Sequence, residues 1–248
     1  MQLLNVLKRH IILIALSIAS IFLYLIDYYI LGNVRDIASS FIGNLAFLPV
    51  YVIFVTLMVE QTMRDREHQT IMRKLNMVIG VFFSEIGNTL LKELALCVES
   101  KGDLHAQLQV SGQWREADFK RALNWLQSHH FKVDGSGCDL QRLKELLVSR
   151  RNFMVGLLEN QNLLEHEEFT DLLWAVFHLM EELDARKSFQ NMPQSDIEHI
   201  NGDINRAFGY LSREWVLYMK HLQLDYPYLF SLAVRLNPML SHPDPLVY

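Results

Sequence analysis

Recognisable chemistry is scarce in this chain of 248 residues. It has two cysteines, Cys97 and Cys138, and no Cys-x-x-Cys pair, so the thiolate spacing of a structural zinc site is missing. Both are read as free thiols, because the part of the chain that carries them is expected in the cytoplasm, where disulfides rarely persist. There is no Gly-x-x-x-x-Gly-Lys or Gly-x-Gly-x-x-Gly phosphate loop and no Gly-x-Ser-x-Gly elbow. Nothing therefore argues for an enzyme, and no catalytic residue or cofactor is expected. Basic charge is not in excess: the formal net charge is -5, which excludes the strong positive field of a nucleic-acid-binding protein. Strand-like alternation of useful length, internal repeats and low-complexity tracts are also missing. What remains is helical periodicity, and the expected fold class is all-α.

The organising feature is a pair of apolar runs, residues 11–31 and 41–59, separated by a short polar loop. Each is long enough to cross a hydrocarbon core about 30 Å thick, and together they predict a transmembrane hairpin over residues 1–59. The first run continues past Ala19 and Ser20 to Leu31 without an Ala-x-Ala cleavage site, so it reads as a signal anchor. Lys8 and Arg9 precede the first span, Arg64, Arg66, Arg73 and Lys74 follow the second, and Arg35 alone lies in the loop. This bias places both termini in the cytoplasm of a multi-pass inner-membrane protein. Asp27 is the single charge within the spans, and depth arithmetic sets it level with Asn44 on the second. The pair is read as glue within the hairpin, with an ion or proton site as the alternative. Pro49 is expected to kink the second span.

Past Val59 the helix is expected to continue as a juxtamembrane stalk over residues 60–98, with Glu60 and Arg64 paired at i,i+4. Met72, Leu75, Ile79, Phe82, Ile86, Leu90 and Leu94 form its apolar stripe. Gly80, Ser84 and Gly87 mark a line where a neighbouring helix packs or the stalk bends. A cytoplasmic helical domain follows over residues 99–240, starting with a loop at 99–112. Its predicted helices are 117–131, 140–158 with Asp139 as N-cap, 167–187, 197–222 and 227–236. The 197–222 segment has the cleanest stripe: Ile197, Ile200, Ile204, Phe208, Leu211, Trp215, Tyr218 and Leu222. Residues 241–248, with Pro243 and Pro245, read as a loose tail.

At residues 44–59, 74–91, 159–183 (ENQNLLEHEEFTDLLWAVFHLMEEL) and 214–238 (EWVLYMKHLQLDYPYLFSLAVRLNP) the chain resembles an uncharacterised family of bacterial and archaeal membrane proteins. Its members pair a two-span hairpin with a helical cytoplasmic region. The resemblance implies a prokaryotic inner-membrane protein and brings no activity, ligand or catalytic residue.

The richest set of metal-type side chains is His166, Glu167, Glu168, Asp171, His178, Glu181 and Glu182. Asp171, His178 and Glu182 can share a helix face and are the candidate metal ligands, although a carboxylate-bridged bundle site would want Glu-x-x-His on two helices. Asp196-x-x-His199 is a partial match elsewhere; solvated faces and capping are the plainer reading. His129 and His130 suit a helix C-terminus. Arg150 and Arg151 could pair with Glu159 or hold a phosphate, the ion pair being favoured. Trp174, Trp215, Tyr226 and Tyr228 are read as packing residues in place of a cation cage.

The leading functional reading is a membrane-anchored interaction or regulatory module that self-associates and binds a cytoplasmic protein partner, with the lipid bilayer as its other partner. An oligomeric channel or transporter subunit built around Asp27, Asn44 and Pro49 is the alternative. A metal-dependent membrane enzyme is the third.

Overall fold

The computed structural model describes residues 18–23, 25–26, 28–29, 34–99, 101–129, 131–134, 137–160, 163 and 166–247. It divides into two compact units, residues 1–67 and 68–248. Each is described by itself.

In the first unit the described residues between 18 and 29 are helical and exposed. Most of the expected first span lies outside the described residues, and so does Asp27. Helix α1 runs Val34–Phe82. It therefore begins within the stretch expected as a loop: residues 34–42 are polar in part but contain no glycine or proline to stop a helix. Pro49 lies inside α1 without ending it. Every residue from 41 to 59 is exposed, Asn44 among them. Glu60 and Arg64 form the expected pair at 3.5 Å.

The second unit starts within α1, where the amphipathic stripe goes under cover. Leu75, Ile79 and Phe82 are buried, followed by Ile86, Leu90 and Leu94. From Phe82 onward the stripe advances in steps of four, each overshooting an α-helical turn by about 40°. A single wider π-turn, Phe83–Gly87, absorbs that drift before helix α2, Asn88–Leu96. Gly87 is needed here, since a Cβ would lie 2.6 Å from Phe83 Cδ1 and 2.9 Å from Phe82 Cε1. A neighbouring helix does pack along this line: Tyr218 stacks on Phe83 at 4.8 Å and lies 3.6 Å from where a Gly80 Cβ would sit.

Helix α3, Lys101–Leu108, occupies most of the stretch expected as a loop. Its polar composition hides two anchors, Leu104 and Leu108, both buried. Helix α4 is Glu116–Ser128, opened by the Asp118 carboxylate accepting from the Arg115 N–H at 2.8 Å. The predicted helix over 140–158 is two helices, α5 (Leu140–Ser149) and α6 (Arg151–Leu158), separated at Arg150 with φ -105° and ψ 8°. Asp139 caps α5 as expected, accepting from Arg142 N at 2.9 Å. Helices α7 (Glu167–Ala185), α8 (Gln194–Asp225) and α9 (Pro227–Arg235) complete the unit. α8 is its axis: α7, α4, α9, α2 and the π-turn all pack on it, through Ile200, Ile204, Phe208, Leu211, Trp215 and Leu222, each buried. Residues 241–247 are exposed and without regular structure, though Arg235 Nε donates to the Pro245 carbonyl at 3.0 Å.

Among the described residues the only strand-like pairing is an isolated bridge between Val98 and Val133. Around it Glu99 N donates to Lys132 O at 3.0 Å and Asp134 N to Cys97 O at 2.9 Å. That pairing brings Cys97 and Cys138 to a Cα separation of 4.9 Å, and the two sulfurs are bonded. The reading of two free thiols is thus corrected. The residues are 41 apart in sequence, and only the tertiary bridge makes them neighbours.

Candidate metal centre

The turn between α7 and α8 sets the register of the polar face they share. Asn191 has φ 56°, a left-handed conformation that asparagine tolerates better than most residues. Arg186, which ends α7, donates to Asp196 on the first turn of α8 at 2.6 and 3.1 Å and to Glu182 Oε2 at 2.8 Å. With Arg186 fixed opposite Asp196, one helical turn further in Glu182 meets His199. One turn beyond that, His178 meets Asp203.

The resulting cluster is close-set. His178 Nε2 lies 3.5 Å from Asp203 Oδ2 and 3.9 Å from Glu182 Oε1. His199 Nε2 lies 3.4 Å from Asp203 Oδ2 and 3.5 Å from Glu182 Oε2. Ligand atoms of His178, Glu182 and His199 all fall within 4.8 Å of one another, a group of three that does not include Asp203, which meets the two imidazoles alone. Asp203 is the floor of the cluster, only 3% exposed, whereas the imidazoles above it are about half exposed. Arg206 Nη1 donates to Asp203 Oδ1 at 3.0 Å, but the buried Oδ2 accepts no hydrogen bond. The Arg186 guanidinium donating to Glu182 and to Asp196 holds both carboxyls below the usual carboxylate range. Imidazole nitrogens and carboxylate oxygens converging in this way can hold a divalent cation or share protons.

Two of the three sequence candidates, His178 and Glu182, belong to this cluster. Asp171 does not: it is exposed on α7 and lies outside the group, because the partner ligands come from α8 and not from another turn of α7. His199 was visible only as a partial motif, and Asp203 was missed. The available signal was a repeated spacing, His178-x-x-x-Glu182 and His199-x-x-x-Asp203, with Asp203 interrupting an otherwise apolar stripe.

The remaining polar candidates have structural partners. His166 caps α7 by accepting from Phe169 N at Nδ1, 3.1 Å away. Arg150 pairs with Glu85 at 3.3 Å, while Arg151 reaches Glu181 at 3.8 Å and lies over Phe177, so neither uses Glu159 in the way expected. His129 stacks on Trp125 at 4.5 Å, and His130 lies outside the described residues. Trp215 is core as expected, but Trp174 is 58% exposed.

A second buried acid lies on α8. Glu214 is 3% exposed, and its Oε1 is 3.9 Å from His166 Nε2. Burial pushes its carboxyl up to about 7, assisted by the charge of Glu168 and opposed by Arg213. Burial likewise holds the His166 imidazole below its ordinary value.

Comparison with known proteins places this architecture in a family. The chain matches the description "Uncharacterized protein MJ1433, C-terminal helical domain" over residues 71–235 and "MJ1433, N-terminal helical domain" over residues 5–63. It is 40% identical over 233 residues to uncharacterized protein MJ1433 of Methanocaldococcus jannaschii, covering 93% of this chain and 94% of that one. No solved structure matches. The two family matches and the near full-length identity show that the chain belongs to the MJ1433 family of helical proteins.

Proposed function

We propose that this protein is a membrane-anchored helical module whose second unit, residues 68–248, binds a protein partner. The observation that carries the reading is the bare apolar stretch of α1. A helix covering 39–96 contains a window long and apolar enough to cross a bilayer, and none of that window is buried inside the protein. Exposing so much contiguous apolar surface to water is unfavourable at roughly 25 cal/mol per Å², and a hydrocarbon layer removes that cost. The inner membrane is its expected location, with the apolar run at 11–31 as a second span and both termini cytoplasmic.

Self-association completes the proposal. Gly43 has open space where a Cβ would stand, which gives a neighbouring span a place of close approach. The Cys97–Cys138 bridge bears on sidedness, because a cytoplasmic location requires that cellular reductants fail to open it. Cys97 is buried and Cys138 half-buried, so reductants can approach the bridge only from the Cys138 side.

Fractionation of cells expressing the full chain tests the anchor. Recovery in the membrane pellet after alkaline carbonate washing is expected, and release into the aqueous fraction refutes it. A reporter fused after Tyr248 should be active in the cytoplasm; activity on the outer side overturns the topology while leaving the anchor standing.

A further inference from the structure

We propose that His178, Glu182, His199 and Asp203 form a binding site for one divalent first-row transition ion, with zinc the best fit to their geometry and chemistry. The site is independent of the membrane reading.

The spacing suits such an ion. A tetrahedral ion with ligand bonds of about 2.0–2.1 Å separates its ligand atoms by about 3.3–3.4 Å. Asp203 Oδ2 lies 3.5 Å from His178 Nε2 and 3.4 Å from His199 Nε2, close to that spacing; the free Glu182 Oε1, 3.9 Å from His178 Nε2, must swing inward to join them. The donor set of two imidazoles and two carboxylates is one that zinc accepts and that soft, thiolate-seeking ions do not favour.

A bare oxygen points to the same ligand. Asp203 Oδ2 is buried and accepts no hydrogen bond, and a buried polar oxygen left so is costly. It faces two imidazole nitrogens, His178 Nε2 and His199 Nε2. A cation bound between these three atoms gives Oδ2 the partner it lacks.

The groups around the ligands add support. Arg206 fixes Asp203 through Oδ1, leaving Oδ2 toward the cluster, and Arg186 fixes Glu182 through Oε2, leaving Oε1 toward His178. Partners of this kind orient metal-binding carboxylates. Three carboxylates, those of Glu182, Asp196 and Asp203, stand against the two guanidinium groups of Arg186 and Arg206. One negative charge is left over for a cation when the imidazoles are neutral. All four ligands sit on long helices clamped at their shared turn, and the half-exposed histidines leave an entry path from solvent.

The competing explanation is a proton-sharing network of imidazolium and carboxylate that needs no metal. Titration of chelator-stripped, detergent-solubilised full chain with zinc chloride at neutral pH separates the two. One equivalent of zinc per chain is expected. His199→Gln and Asp203→Asn should each weaken binding at least 100-fold, and Asp171→Asn should leave it unchanged. Circular dichroism of each variant checks folding; should Asp203→Asn lose helicity, the half-exposed His199→Gln decides between the two explanations. Failure of the native chain to bind stoichiometric zinc, or binding that persists undiminished in the folded variants, overturns the proposal.

Discussion

Replacing Glu214 by glutamine should stabilise the protein at alkaline pH and leave it almost unchanged in acid. The carboxyl is 3% exposed on α8 and its pKa is raised from the ordinary 4.5 to about 7, first by burial and then by Glu168. Below 4.5 the acid is protonated in both folded and unfolded chains and contributes nothing to the balance. Between 4.5 and 7 the folded state keeps the proton that the unfolded state releases, so native stability falls as pH rises through this window. Above 7 the whole penalty is present, about 3 kcal/mol for a shift of this size. Glutamine keeps the shape and cannot ionise. The stability difference between Glu214→Gln and the native chain should therefore grow from near zero at pH 4.5 to about 3 kcal/mol at pH 8. Guanidinium denaturation of the detergent-solubilised full chain, followed by the fluorescence of the buried Trp215 next to it, measures this directly. His166 titrates with the opposite slope, because its lowered pKa makes stability fall as pH drops below the ordinary imidazole value. That contribution is common to both proteins and largely cancels in the difference. Denaturation curves that differ by a constant amount from pH 5 to 8.5, or a variant less stable at pH 8, would refute the electrostatic account of this residue.

Two further outcomes follow from the packing. Alkylation of the unfolded, unreduced protein should find no free thiol at Cys97 or Cys138. Reduction should cost about 4 kcal/mol, the chain entropy released when a loop of this length opens, read as a lower denaturation midpoint; full alkylation before reduction would show that the bridge does not form. Gly87→Ala should destabilise by about 1–3 kcal/mol, because its Cβ would press on two buried phenylalanine rings. An unchanged midpoint would mean that the π-turn relaxes freely.

How much of this was legible in the sequence depended on how local each cause is. The stripe at Ile200–Leu222 is periodic at close to 3.6 residues and that at Leu75–Leu94 recurs every three or four, so both could be read directly, as could the Asp139 cap and Pro227 at the start of α9; the π-turn that the steps of four demand could not. The break at Arg150 could not: it uses an ordinary residue in a bridge-region backbone, with no glycine or proline to announce it. Helix α3 was hidden by its polar composition and by Gly102, since its stability rests on Leu104 and Leu108 reaching into the core. Cys97 and Cys138 are joined by the Val98–Val133 bridge, a contact with no sequence signature. Half of the candidate site was visible as His178 and Glu182 on one helix. The rest required the α7–α8 register, which Arg186 and Asp196 fix and which no spacing within α7 could reveal.

Asn237 has a practical consequence for anyone who wishes to trim or tag the polypeptide. Fully buried, its amide donates to Leu108 O at 3.1 Å and accepts from Met239 N at 2.8 Å, so one side chain buttons the end of the fold to the close of α3. Fusions joined after the exposed residues 241–247 leave that button fastened. A deletion reaching back to Leu236 would strip the Leu108 carbonyl of its donor and remove the buried Met239, loosening an end of the chain from the middle outward.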